Sequence, residues 1–281
     1  DMPNQIHSTA IIHPHAILGD NVTVEAYAII NSPHIVIENN VTIKAHAYID
    51  GYTTVGDGSI IYPFASIGTR PQDLKYKGEN TYVKIGKRCQ IREYVTINSS
   101  TGENESVEVG DDCYIMTSCH IAHNCKLGEH VIMSNGVQLA GHITVGDYAI
   151  IGGMTGVHQF VRIGSYAMVG GFCPIHYDIP PYLVGGQSPF KFGGVNTVGL
   201  KRHGFSLKTR SELFKAFKWI FRSPLTLSEG LKKIEDELEP LPEIKEFVDF
   251  CRSSKRGLME KRNVDRTHYH KTKELDDNHE E

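Results

Sequence analysis

Aliphatic residues recur every six positions along most of this chain. Ile6, Ile12, Leu18, Val24 and Ile30 open the series, and after a slip of one residue near Pro33 it resumes at Ile37 and holds its count to Ile175. Two positions before the aliphatic sits a small or β-branched residue, as at Ala47, Thr53, Ser59, Ala65, Val95, Val131 and Ala149. This period matches neither an α-helix at 3.6 nor a plain alternating strand at 2. One inward aliphatic, one inward small residue and a frequent Gly or Asn describe a short strand followed by a tight corner. Three hexads close one triangular coil of 18 residues. Successive coils stack at the spacing of hydrogen-bonded strands, about 4.8 Å, and the aliphatic ladder fills the prism.

The ladder fails at Asp73, Glu79 and Glu103, where charge stands in place of an aliphatic. The chain must leave the prism there, which predicts excursion loops at about 69–82 and 98–107. Long excursions from a rigid solenoid are commonly functional. After Pro180-Pro181 the period stops. Leu213, Phe217 and Ile220 then fall on one helical face, Pro224 bars continuation, Thr226 with Glu229 forms a capping box, and Pro242 opens a further helix. The expected fold is all-β with an α-helical C-terminal domain: a parallel β-helix of hexapeptide repeats over 6–189, helices over 190–260, and a disordered tail over 261–281.

Composition changes this picture little. With 281 residues, 40% hydrophobic and 22% charged, the chain can bury a full core. No apolar run is long enough for a membrane span, and the N-terminus lacks a basic region followed by an apolar one, so a cytoplasmic location without membrane insertion is expected. Cys89, Cys113, Cys119, Cys125 and Cys173 occupy the small inward position and read as buried apolar residues. The net charge of −4 hides an asymmetry. Between Asn196 and Arg222, Lys201, Arg202, Lys208, Arg210, Lys215, Lys218 and Arg222 face only Glu212. Such a surface suits an acidic partner, though a solvated helix face has the same composition.

Among 15 histidines, the informative ones lie in HIAHNC, LAGH and GVHQF. Steps of 18 from His123 reach Gly141 and Gln159, so these stack at one corner, with His142 and His158 beside the column and His120 just before it. Two chemistries use such a cluster. Histidines bind zinc in the γ-type carbonic anhydrases, another hexapeptide branch, but that pattern is His-x4-His, whereas here it is His120-x2-His123 with no carboxylate beside it to orient the ring. Alternatively, a neutral imidazole acts as general base toward a hydroxyl. A structural solenoid has no need of imidazoles at one corner.

The segments QDLKY (from Gln72), IREYVTI (from Ile91), HIAHNC (from His120), LAGH (from Leu139), IIGGMTGVHQF (from Ile150) and GVNTVGLKRHGF (from Gly194) resemble, in order and spacing, the UDP-N-acetylglucosamine O-acyltransferase family of bacterial lipid A synthesis. The resemblance covers about Ile6 to Leu258 and implies a left-handed prism. It implies transfer of a 3-hydroxyacyl chain from acyl carrier protein to the 3-hydroxyl of UDP-N-acetylglucosamine by a homotrimer with sites between subunits, with no cofactor, metal or nucleic acid. His123 is then the base, and the Gly141 N–H stabilises the oxyanion. Asp73, Lys75, His120, His142, His158 and Gln159 hold the sugar, Asn196 and Arg202 hold the nucleotide end, and Gly171 sets acyl-chain length. Asn124 stands where the family often has Asp, and Val198 and His203 replace Glu and Arg. A coenzyme A-dependent acetyltransferase and the N-acyltransferase of the same pathway share the repeat, but QDLKY and the helical domain argue against both.

Overall fold

The computed structural model describes residues 2–261; the expected tail lies, beyond Lys261, outside the described residues. Strands of mostly two residues stack into three sheets of eleven, nine and eight strands, the three faces of a left-handed parallel β-helix. On the first face Ile115, Met133, Ile151 and Val169 lie in register. Ile97, Ile121, Leu139, Val157 and Ile175 do so on the second, and Val109, Leu127, Val145 and Ile163 on the third. These ladders are buried and form the core. All six cysteines are free and buried. Several thiols donate to corner carbonyls of the next coil, Cys125 Sγ to Ala140 O at 3.1 Å and Cys119 Sγ to Ser134 O at 3.0 Å, which satisfies polar groups that the prism would otherwise bury unpaired.

The corners differ from the expected Gly or Asn. Many turn through a larger residue at positive φ: Tyr27, His46, Phe64 and Tyr94 after the first face, His142 and Phe160 after the second, His130, Tyr148 and Tyr166 after the third. That conformation costs an L-residue roughly 1–2 kcal/mol. Stacking offsets the cost, because the repeat sets each ring over the next: Phe64 on Tyr94 at 5.2 Å and 5°, Tyr148 on Tyr166 at 4.8 Å and 6°.

Both excursions leave from the second corner, between Thr69 and Tyr82 and between Asn98 and Ser106. They are laced together, with Gly102 N–H donating to Glu79 Oε1 at 2.8 Å and Asn104 N–H to Asn80 O at 2.9 Å. At the other end, Leu183–Gly186 extends the first face and Lys191–Val195 returns antiparallel to it, a hairpin the six-residue count does not announce. Four helices follow: α1 (Thr197–Arg202), α2 (Leu207–Phe221), α3 (Leu227–Glu237) and α4 (Pro242–Arg252). The capping box of Thr226 with Glu229 is formed, and Pro242 opens α4 as expected. The short α1 is an addition, capped by the Asn196 side chain. Arg162 fastens helices to prism: it reaches Asp178 at 3.4 Å and Phe250 O at 2.8 Å.

Candidate active site

An open groove of about 700 Å³ runs over the second face, between the first and second corners. Its floor is the outward column one position before the ladder: His120, Gln138 and Gly156, paired in register, then Pro174. His123, Gly141, His158 and Gln159 edge it at the second corner, Met154 and Phe172 at the first. Gly156 meets nothing within 4 Å at its Cβ position, so the floor dips there. The stacking of His123, Gly141 and Gln159 expected from the count of 18 is present, and the His123 ring folds over the Gly141 Cα. A Cβ at Gly141 would lie 2.5 Å from His123 Nε2, so only glycine admits the ring. The Gly141 N–H has no acceptor among the described residues.

His123 is nearly buried, its side chain 8% exposed. Its Nδ1 lies 3.0 Å from Asn124 Oδ1 and 3.8 Å from Asp73 Oδ2. This corrects the sequence reading on one point: no carboxylate adjoins His123 in the chain, but the first excursion brings one against its ring. Asp73 is held by the Lys75 N–H, 3.0 Å from its Oδ1. Burial raises the Asp73 carboxyl, but that hydrogen bond and the charges of His123 and Lys75 outweigh it and leave it below its ordinary value. His142 sets its ring edge-on to His123 at 5.1 Å and stacks on Phe160 at 4.5 Å. His120 Nδ1 meets Thr96 Oγ1 at 2.6 Å. Burial, then the neighbouring His123, lowers the pKa of both His120 and His142. Both therefore favour the neutral form more than a free imidazole does.

Comparisons with known proteins place the chain by family and by fold. The family described as Udp N-acetylglucosamine O-acyltransferase, Domain 2, matches residues 178–259, and the bacterial transferase hexapeptide repeat matches 106–141. An acyl-[acyl-carrier-protein]–UDP-N-acetylglucosamine O-acyltransferase of Chlamydia trachomatis serovar L2 is 55% identical over 254 residues, 90% of each chain. That of Chlamydia caviae is 50% identical over 90% of this chain and 91% of its own. The solved structure of LpxA, a UDP-N-acetylglucosamine acyltransferase from Bacteroides fragilis, superposes with a TM-score of 0.87 at 40% identity, covering 90% of this chain and 98% of that one. The chain belongs to the UDP-N-acetylglucosamine O-acyltransferase family.

Not every residue singled out in this O-acyltransferase reaches the groove. Asn196 and Arg202 lie with α1 at the third corner, the one corner that does not border the second face. Asn196 is committed there, accepting from Gly199 N–H at 3.1 Å and donating to Tyr166 O at 3.0 Å. His203 packs on Tyr148 and Tyr166, and Val198 is exposed. Gly171 lies at the first corner on the backbone of Gly153, whose carbonyl oxygen a Cβ would meet at 2.9 Å; its neighbour Phe172 is the one lining the groove. Gln72, Gln138, Gly156, Phe172, Pro174 and His176 line the groove and were not anticipated. The signal existed for three of them, since steps of 18 from His120 reach Gln138, Gly156 and Pro174.

Proposed function

We propose that this acyltransferase moves a 3-hydroxyacyl chain from acyl carrier protein to the 3-hydroxyl of UDP-N-acetylglucosamine, the first step of lipid A synthesis. The observation that carries the reading is His123, whose Nδ1 meets an acceptor while Nε2 lies against Gly141 at the groove edge. Nε2 removes the proton of the sugar hydroxyl as its oxygen attacks the thioester carbonyl. The carbonyl pair moves onto oxygen, where the uncommitted Gly141 N–H donates to it. Collapse re-forms the carbonyl and expels the thiolate, which takes the proton back from the imidazolium. Asp73, Lys75, His142, His158 and Gln159 at this corner hold the sugar, and the floor column receives the acyl chain, whose length is set near Gly171 and Phe172.

Asn196 and Arg202 hold the nucleotide end of a neighbour's site, since their own corner turns away from their own groove. The first face supports a homotrimer: its outward Ile132, Ile150 and Met168 form an apolar strip, whereas the third face presents Lys84, Glu108 and Lys126. Sedimentation should show a trimer, and a fully active monomer would sink the shared-site reading. His123→Ala should lose roughly 100-fold or more in kcat while UDP-N-acetylglucosamine still binds by calorimetry. Retention of most of kcat, or loss of turnover on dialysis against chelator, would overturn the role given to His123.

A further inference from the structure

One position after the ladder, steps of 18 run through Ala122, Ala140, His158 and His176, and all four line the groove. This column is small beside His123 and Gly141 and carries exposed imidazoles beyond them. The rings of His158 and His176 lie 5.9 Å apart. At about 4.8 Å per coil, His176 stands three coils from His123, about 14 Å along the prism. There the end of the described chain returns to the prism: Asp178 N–H donates to Gly257 O at 2.9 Å, and Met259 N–H to Asp178 O at 3.0 Å. That crossing sets Arg256 beside His176, whose carbonyl oxygen accepts from Arg256 Nε at 2.8 Å. The terminal nitrogens of this guanidinium have no acceptor among the described residues, and neither has the His176 ring. Asp178, the acid nearest to His176 in sequence, is buried and already taken up by Arg162 and by Ser254 Oγ at 2.7 Å. Positive charge at this end of the groove is therefore left without a carboxylate partner.

We propose that His176 and Arg256, with His158 one coil below, bind a phosphate group of a ligand lying in this groove. This rests on the reading that sugar nucleotide and acyl donor meet at His123. Each brings phosphate: the nucleotide as the diphosphate on its sugar, the donor as the phosphodiester that joins its pantetheine arm to the carrier protein. The corner suits either. A guanidinium fixed through Nε keeps its terminal nitrogens as donors, and its planar fork matches two phosphate oxygens. An imidazole donates N–H to an oxyanion and takes up charge as the anion approaches. A cap for the end of the prism needs only the Nε bond of Arg256; it has no use for an exposed imidazole turned into the groove.

Phosphorus NMR spectra of UDP-N-acetylglucosamine and of phosphopantetheine, each titrated with the full-length protein, identify the phosphate that is held. Its signal should broaden and shift with the wild type and recover in His176→Ala. By calorimetry, His176→Ala and Arg256→Gln should each weaken that one probe roughly tenfold and the other less than about twofold. Whichever probe shows the loss names the source of the phosphate. Added salt should narrow the gap between wild type and variants. Unchanged affinity of His176→Ala for both probes overturns the site, and so does an equal loss for both. Should Arg256→Gln loosen the end of the prism, His176→Ala, at an exposed position, still decides. A wild type that binds neither probe refutes the reading of the groove itself, whereas binding that no variant alters refutes the phosphate site alone.

Discussion

The second and third corners of the prism are made by the same hexad and the same left-handed backbone, yet one leaves polar groups open at the edge of a groove and the other packs them against one another. At the third corner the side chains satisfy one another. Asn21 donates to Asn40, Arg88 pairs with Asp112 at 2.7 Å, and His130, Tyr148, Tyr166 and Tyr182 stack in a column closed by His203 and Phe205. The column ends where Tyr182 hydrogen-bonds Glu246 of α4. At the second corner the stack runs from His142 to Phe160, and one position earlier His123 and Gly141 leave an imidazole nitrogen and a peptide N–H without partners among the described residues. The repeat sets where a side chain stands; whether it acts depends on whether its neighbours use up its polar groups.

The sharpest way to break this comparison is to fill the gap at the second corner. Gly141→Ala sets a methyl where His123 now lies, within 2.5 Å of Nε2, so the ring must move off both the groove and its Asn124 contact. A misplaced base and a displaced N–H donor together should lower kcat by roughly 10²–10³-fold, with little change in melting temperature. Near-normal turnover would mean that the ring approaches substrate from some other direction. At the third corner the opposite outcome is expected. Tyr166→Ala removes a half-buried ring from between Tyr148 and Tyr182 and should cost about 2 kcal/mol of stability, leaving kcat within about twofold. Denaturant unfolding beside steady-state assays checks both halves.

How much of this was legible follows from what a period encodes. Ladder positions, inward cysteines and the places where Asp73, Glu79 and Glu103 force the chain out of the prism all follow from one count. So does the stacking of His123 with Gly141 and Gln159. The meeting of Asp73 with His123 does not, because it depends on the path of a loop between Thr69 and Tyr82, which no periodicity constrains. Asn124 stands where the family often has Asp. Its Nδ2 bond to Thr101 O shows the amide holding a loop, a bond that a carboxylate cannot make. The aromatic corners were hidden for another reason: left-handed geometry disfavours those residues singly, and only the stacked column makes them favourable.

A smaller effect separates the corners by pH. His120 and His142 titrate below their ordinary 6.5 in the folded protein, chiefly through burial. Between that depressed value and about 6.5 the unfolded chain binds more protons than the folded one. Stability is therefore complete above about 6.5 and falls as the pH drops below it. The depressed carboxyl of Asp73 acts in a separate window, near and below its ordinary 3.8, where stability present at higher pH is lost. Melting temperature should decline from about pH 7 to pH 5.5, and His120→Gln with His142→Gln should flatten that decline. An unchanged slope in the double variant would assign the pH dependence elsewhere.

The smallest effect concerns the basic surface beyond the prism, whose composition suits an acidic partner such as acyl carrier protein. Several of its charges are already paired: Lys208 with Glu239, Lys215 with Glu212, Arg222 with Glu260. Lys201 and Lys218 have no carboxylate within 4 Å among the described residues, and Lys218 lies over the exposed ring of Phe214, giving α2 an apolar and basic outer stripe with Leu207. Charge steering acts over about 10 Å at 0.1 M salt and governs encounter more than the bound state. Lys201→Glu with Lys218→Glu should therefore raise KM for the acyl donor about threefold to tenfold at low salt, and that difference should shrink as salt is added. In Lys218→Glu alone the affinity for sugar nucleotide should stay put, because α2 is a separate helix from α1, whose Asn196 and Arg202 are given the nucleotide end. Equal loss for both substrates, or a donor effect indifferent to salt, would show this stripe to be a solvated helix face, as satisfied as the tyrosine corner beside it.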